Sequence, residues 1–259
     1  MLRGLYTAYT GMKNEEKRMD VIANNMANAN TNGYKAEGTS SRAFSKVLGI
    51  KINDDSEAYL QRSFGKMSLG VKIGESYRDW SSGSFRVTDN KFDFAIAGDG
   101  FFTISMTDRS GNTHTRYTRD GAFTITSDGY LVTKDGDHVL DSSGSYIQLP
   151  TDQGEPTVDG DGNISVNGVQ YATLGMVDFE DYDYLEQYGE NQFDAVEGAT
   201  FKPFSGSIEQ GVIETSNVNI VDEMVNLIAV TRQYESNQKM IQTVDTIMDK
   251  AVNTVGRVR

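Results

Sequence analysis

The chain has 259 residues, a formal net charge of -13, 26 glycines, three prolines and no cysteine. Disulfides, thiolate chemistry and cysteine-ligated metals are therefore excluded, and the acidic balance argues against nucleic acid or an anionic membrane as partner. The length is enough for one large domain or two small ones with a true core.

The charge is unevenly placed. Residues 1–35 hold five basic and three acidic side chains and residues 217–259 five of each, so the middle carries the acidic excess and all three prolines. No run of about 18 apolar residues predicts a membrane-spanning helix. The start, MLRGLYTAYTGMKNEEKR, has neither an unbroken apolar stretch nor a small-residue cleavage site, so no cleaved signal peptide is expected. The two histidines, His114 and His138, show no zinc-site spacing.

In chain order, the first helix is expected from Leu2 to Ala29. Leu5, Met12, Met19 and Met26 recur every seven residues. Leu2, Tyr9 and Ala23 form the adjoining line, interrupted by Glu16, which together make an a/d seam. The Asn-rich run that follows predicts a stop near Asn30–Gly33, since Asn and Gly tolerate the left-handed conformation. Residues 36–80 read as an extended linker or β segment, with Ser40–Leu48 as a candidate short helix and Met67–Tyr77 as extended chain.

From about residue 81 to 210 the apolar period changes to two. Phe92–Ala97 alternates, Gly98-Asp99-Gly100 turns, and Phe101–Met106 continues as a strand. Asp-Gly steps at Asp120-Gly121, Asp128-Gly129 and Asp135-Gly136 bracket Ala122–Thr126 and Tyr130–Thr133, which is a hairpin signal. Further strands fit Ile164–Val166 and Ala172–Asp178. The expected fold class is α+β, with N- and C-terminal coiled-coil helices paired together (1–35 and 211–259) and a central antiparallel β domain.

The last helix carries the most regular pattern. Asn219 is placed to cap it, with Asp222 and Glu223 in the first turn, where the helix dipole favours acids. Ile220, Leu227, Tyr234, Ile241, Met248 and Val255 recur every seven residues. Val230, Val244 and Ala251 fill the second seam position, with Asn237 as its polar member. About 38 residues of helix would reach roughly 57 Å, too long for a compact domain of this size to cover. Its first turns, with Ile220, Val221, Met224, Val225, Leu227, Ile228 and Val230, leave almost no polar face, which calls for burial all round. An intramolecular two-helix hairpin and a bundle of several neighbouring helices are both open at this point.

Candidate chemistry is sparse. Asp159-Gly160-Asp161-Gly162-Asn163 opens like a calcium loop, but Ile164 and Gln170 stand where Gly and Glu are required, so a solvated hairpin turn is preferred. Gly98-Asp99-Gly100 lacks the third glycine of a dinucleotide fingerprint. The acidic run Asp178–Tyr184 offers carboxylates for glycoside hydrolysis, yet a solvated edge or contact loop is the preferred reading. No catalytic residue, cofactor or metal ligand is assigned, and a structural subunit is expected rather than an enzyme. A soluble acidic β-domain binding module is the alternative class.

Four segments carry a family resemblance. Asn24–Lys35 resembles the N-terminal signature of bacterial flagellar rod and hook proteins. Phe94–Phe102 is similar to the opening of their β domain, Tyr117–Phe123 follows it in place, and Glu214–Val225 is similar to their C-terminal signature. The resemblance implies a structural subunit of the flagellar basal-body rod, in the cell envelope (periplasm or cell wall), polymerising helically into a hollow drive shaft. It implies self-association, contacts with other flagellar rod and hook proteins, and export by the flagellar type III apparatus without a cleaved signal. The closest members are the distal rod type, with the proximal rod paralogue also possible and a hook-type axial protein less so. The implied assembly residues are Leu5, Tyr9, Met12, Met19, Met26, Ile220, Leu227, Val230, Tyr234, Ile241, Val244, Met248 and Val255. No nucleic acid and no membrane insertion are expected.

Overall fold

A computed structural model of the chain describes residues 2–44, 47–50, 63–67, 70–107, 111–150 and 154–255. It is α+β and divides into two compact units. One comprises Met1–Met26, Glu37–Asp79 and Asn219–Arg259, the other Ala27–Ala36 and Trp80–Val218.

The helical unit begins with α1 (Leu2–Ala27). Four strands follow: β1 (Glu37–Ala43), β2 (Val47–Ile50), β3 (Ser63–Met67) and β4 (Val71–Arg78). β1 pairs antiparallel with β4, and β2 with β3, as nested ribbons. Where helix was expected at Ser40–Leu48, residues 40–43 and 47–48 are strand, residues 45 and 46 lying outside the described residues. The local run Thr39-Ser40-Ser41 suits this, because short hydroxyl side chains compete with helical backbone bonds. Ser40 Oγ accepts the Glu75 amide at 3.1 Å on the opposite strand. The expectation of extended chain over Met67–Tyr77 agrees with β3 and β4, residues 68 and 69 lying outside the described residues.

The unit ends in α2 (Ile220–Lys250), prolonged by a π turn, Ala251–Val255. Asn219 caps it as its sequence position predicts: the side chain accepts the Val221 amide at 3.1 Å. Asp222 and Glu223 occupy the first turn and Lys250 the last, both favourable toward the helix dipole. The 31 residues of α2 span about 46 Å. Among the described residues, no helix is long and apolar enough to cross a membrane.

The β unit holds the main core. Its first strands are β5 (Phe85–Val87), β6 (Phe94–Ala97), β7 (Phe101–Thr107), β8 (Thr113–Thr118), β9 (Thr124–Ile125), β10 (Leu131–Val132) and β11 (His138–Val139). β12 (Pro156–Val158), β13 (Asn163–Val166), β14 (Val169–Thr173) and β15 (Met176–Phe179) follow. The unit closes with β16 (Leu185–Tyr188), β17 (Gln192–Ala195), β18 (Phe201–Lys202), β19 (Ser207–Gln210) and β20 (Val212–Glu214). The largest sheet runs β16-β17-β8-β7-β11-β10-β9, with β15 also on β7 and β18 on β15. Every named pairing is antiparallel.

β7 explains why this core has two parts. Phe102 and Ile104 face one cluster with Phe94, Ile96, Phe123, Leu131, Val139 and Leu174. Phe101 faces the other, with Tyr117, Phe179, Leu185 and Phe193. Successive side chains of a strand point to opposite faces, so a run apolar at every position is buried on both. The Asp-Gly steps divide in role. Gly129 and Gly136 take positive φ in tight turns between β9, β10 and β11. Gly121 instead lets the chain pass against β6, where its carbonyl accepts the Phe94 amide at 3.0 Å. The single strand expected over Ala172–Asp178 is two strands. At the break the Gly175 carbonyl accepts the Thr103 amide and the Gly175 amide bonds to Leu140 O, both at 2.9 Å.

Candidate assembly interface

The helices are the candidate site, and burial along α2 shows how they are used within the unit. Glu223, Leu227, Val230, Tyr234, Asn237, Ile241, Val244 and Met248 are the positions shielded from solvent, with Thr231 beside them. Their spacing alternates three and four, the a/d seam of the sequence pattern. Val230 is the deepest, at 2 % exposure. The facing residues on α1 follow an antiparallel order. Asn25 Nδ2 donates to Glu223 Oε1 at 3.3 Å, Thr231 Oγ1 donates to Met19 Sδ at 3.8 Å, and Gly11 lies against the Asn237 amide. A Cβ at Gly11 would stand 2.9 Å from Asn237 Nδ2, so glycine permits that approach.

The sequence-expected residues of α1 are divided by the structure. Leu5, Met12, Met19 and Met26 are half-buried, whereas Tyr9 is exposed. The deepest positions of α1 are Ala8, Thr10, Asn14, Glu15, Ile22 and Asn25, four of which are polar and were missed. Asn14 pairs with Ser41 on β1 at 3.1 Å. Asn25 takes the Glu37 amide on Oδ1 at 3.0 Å and donates to the Glu37 carbonyl at 2.8 Å, replacing one strand partner. Their signal was present: they stand eleven residues apart, three helical turns, on one face. Buried asparagine is tolerable only when such partners exist, and those partners were hidden in a segment read partly as helix.

Among the described residues, a second face of α2 is left exposed. Val221 is 67 % exposed, Val225 60 %, Ile228 52 % and Met224 50 %. Ile220, a predicted interface residue, is exposed beside them. The side chain of Val255 lies outside the described residues. Burial all round, which the apolar first turns of α2 call for, is met on one face only within the chain.

The acidic run in the β unit behaves differently from a solvated edge at its start. Asp178 is 1 % exposed. Its carboxylate accepts the Tyr182 hydroxyl at 2.7 Å and the Phe179 amide at 2.8 Å, with Lys202 at 3.5 Å. Burial, together with this bond to Asp178, raises the Tyr182 hydroxyl pKa far above its usual value. Asp181 caps a short 3-10 turn, Tyr182–Tyr184. The Asp159–Asn163 segment is a hairpin connection: Gly162 N–H bonds to Asp159 O at 2.8 Å between β12 and β13.

Comparison with known proteins adds the following. Three family descriptions match along the chain: the flagella basal body rod protein over residues 5–35, the flagellar hook protein FlgE/F/G D1 domain over 95–166, and the flagellar basal body rod FlgEFG protein C-terminal region over 209–254. The chain is 34% identical to the flagellar basal-body rod protein FlgG of Bacillus subtilis (strain 168), covering 98% of this chain and 99% of that one. It is 35% identical to the flagellar basal-body rod protein FlgF of Rhizobium meliloti (strain 1021), over the full length of both. The corresponding FlgF of Caulobacter vibrioides is 31% identical, again over the full length of both.

Proposed function

The chain belongs to the flagellar basal-body rod protein family, and from that membership we propose that it is a structural subunit which polymerises helically, through its terminal helices, into a hollow drive shaft. The observation that carries the polymer is the uncovered apolar face of α2. Fully burying one large apolar side chain is worth about 1.5–3 kcal/mol. Val221, Met224, Val225 and Ile228 are each half exposed or more, so covering them makes on the order of 4 kcal/mol available per subunit. Copies of the chain are the proposed cover. A contact between unlike faces that does not close generates an open helical filament, and many individually weak contacts per subunit resist torque.

Within each subunit we read α1 and α2 as a coiled-coil pair, with Leu5, Met12, Met19, Met26, Leu227, Val230, Tyr234, Ile241, Val244 and Met248 on its seam. Tyr9 and Ile220, both exposed, are assigned to contacts with neighbours. Other rod and hook proteins continue the shaft above and below, and the subunit reaches it through the flagellar type III apparatus. No reaction is assigned, because Asp178, the buried acid of the candidate run, is bound to Tyr182 and the Phe179 amide. Relatives carrying both rod names stand at near-equal identity, so a distal and a proximal position along the shaft are the two readings. Micrographs of a strain lacking the chain distinguish them by where the shaft stops.

The polymer is tested with a chain ending at residue 218. It is expected to keep a folded β unit and to form no filaments at any concentration by sedimentation and electron microscopy. Filaments from that chain would overturn the proposal.

A further inference from the structure

Three charged side chains buried in the β unit have no part in the assembly surface. Lys35 and Glu214 are 1 % exposed and Arg119 3 %. They come from three separate signature segments. Lys35 Nζ lies 2.7 Å from Glu214 Oε1, and Arg119 Nη1 3.3 Å from Glu214 Oε2. Such burial of charge is costly without complete pairing, and the pairing here is made with backbone as well.

The backbone partners share one property: they lie where the chain leaves the β unit. The unit's segments end at residues 36, 80 and 218, besides residue 27. At the first end, Lys35 Nζ donates to Ser81 O at 2.8 Å and the Ala36 amide donates to Asn217 Oδ1 at 2.8 Å. The Gly33 amide donates to Glu214 O at 2.9 Å. At the second end, Gly83 N–H donates to Glu214 Oε1 at 2.9 Å and Ser81 O also accepts Asn217 Nδ2 at 3.2 Å. Trp80 is packed there against Phe101, Tyr182 and Phe193, with ring centroids 5.0–5.6 Å apart. The third end carries Glu214 and Asn217 themselves. Arg119 joins this group to the aromatic cluster, its Cζ 5.3 Å from the Phe101 ring. Gly33, at φ +67°, is pressed against the Arg119–Asp120 peptide, where a Cβ would stand 2.5 Å from Arg119 C.

We propose that Lys35, Glu214 and Asn217 are the positioning residues of a clamp that ties the exits at residues 36, 80 and 218 into one fixed point on the β unit. Force arriving along any of these segments then enters the β unit through the clamp and the aromatic cluster behind it, not through a single strand end. This use of the clamp rests on the rod reading; the clamp itself is a property of the isolated chain. Lys35 is the discriminating residue. The triad carries two cations and one anion, so Lys35→Met leaves a neutral Arg119–Glu214 pair and removes the ties from the 30s segment to Glu214 and Ser81.

The test is amide hydrogen exchange on the purified full-length chain. In Lys35→Met the Gly33, Ala36 and Gly83 amides are expected to exchange at least tenfold faster, while the Thr103 and Leu140 amides of the core keep their rates. Unchanged rates at these three amides would overturn the clamp. Equal acceleration at Thr103 and Leu140 would overturn it too, since Lys35 would then support the whole core. Asn217→Ala, a neutral change that leaves the triad in place, is expected to accelerate Ala36 and Gly83 without affecting Thr103, and unchanged rates there count against the proposal. The assay needs no filament, so its failure is separable from failure of the rod reading.

Discussion

Replacing Glu214 by Gln removes one negative charge and one acceptor from the most buried ionic group of the β unit. The carboxylate now holds Lys35 at 2.7 Å, Arg119 at 3.3 Å and the Gly83 amide at 2.9 Å. Gln keeps a single acceptor oxygen, and its amide hydrogens face a cation. Two cations, 1 % and 3 % exposed, lose the carboxylate that faces them. Breaking a buried pair in this way costs about 3–5 kcal/mol. For a unit of this size that lowers the unfolding midpoint by roughly 10–15 °C. Trp80 is the sole tryptophan and lies in the aromatic cluster of the same unit, so its fluorescence in urea reports this transition at unchanged denaturant slope. Adding Lys35→Met to Glu214→Gln removes one stranded cation and is expected to recover part of the loss, a coupling typical of residues in direct contact. A loss below about 1 kcal/mol, or a double variant weaker than Glu214→Gln alone, would refute the argument that the carboxylate neutralises both cations.

Two further outcomes follow from the same structure. Ile228→Glu changes a side chain that is 52 % exposed on α2, so stability of the isolated chain should shift by no more than about 0.5 kcal/mol, whereas filament formation by sedimentation and microscopy should be lost; filaments of normal length would count against this face as a subunit contact. Asp120 supplies a pH dependence: burial raises its carboxyl pKa above the ordinary 3.8, while the Ala122 amide, Lys134 and Asn32 oppose the rise. The folded state then holds this proton more tightly than the unfolded one, so stability falls as pH rises from about 3.8 through the folded pKa. Relative to Asp120→Asn, the parent chain should be more stable near pH 3.5 than near pH 7 (both about, by linkage), and a flat difference in urea midpoints would contradict the direction.

Much of this protein is local and periodic. The seven-residue repeat from Ile220 to Met248, the Asn219 cap and the Asp-Gly turns at Gly129 and Gly136 each depend on residues a few positions apart, and each is readable along the chain. Ser40–Leu48 offers a candidate short helix in sequence because the strand that pairs with residues 40–43, Val71–Arg78, lies some thirty residues on, and a strand's stability resides in that pairing. The burial of Asn14 and Asn25 has the same origin, since Ser41 and the Glu37 carbonyl of that ribbon accept their side-chain amides. Asp178 looked solvated because abundance of acid says nothing about which carboxylate the fold encloses.

The sequence by itself determined the two terminal helices, the antiparallel β middle and, through four signature segments, the family. Only the tertiary structure decided that Lys35, Arg119 and Glu214 meet, that the exits of the β unit share one set of hydrogen bonds, and which face of α2 stays uncovered. Periodicity is set by neighbours in the chain, whereas burial of a charge is settled by partners as much as 179 residues away, and no local pattern records them.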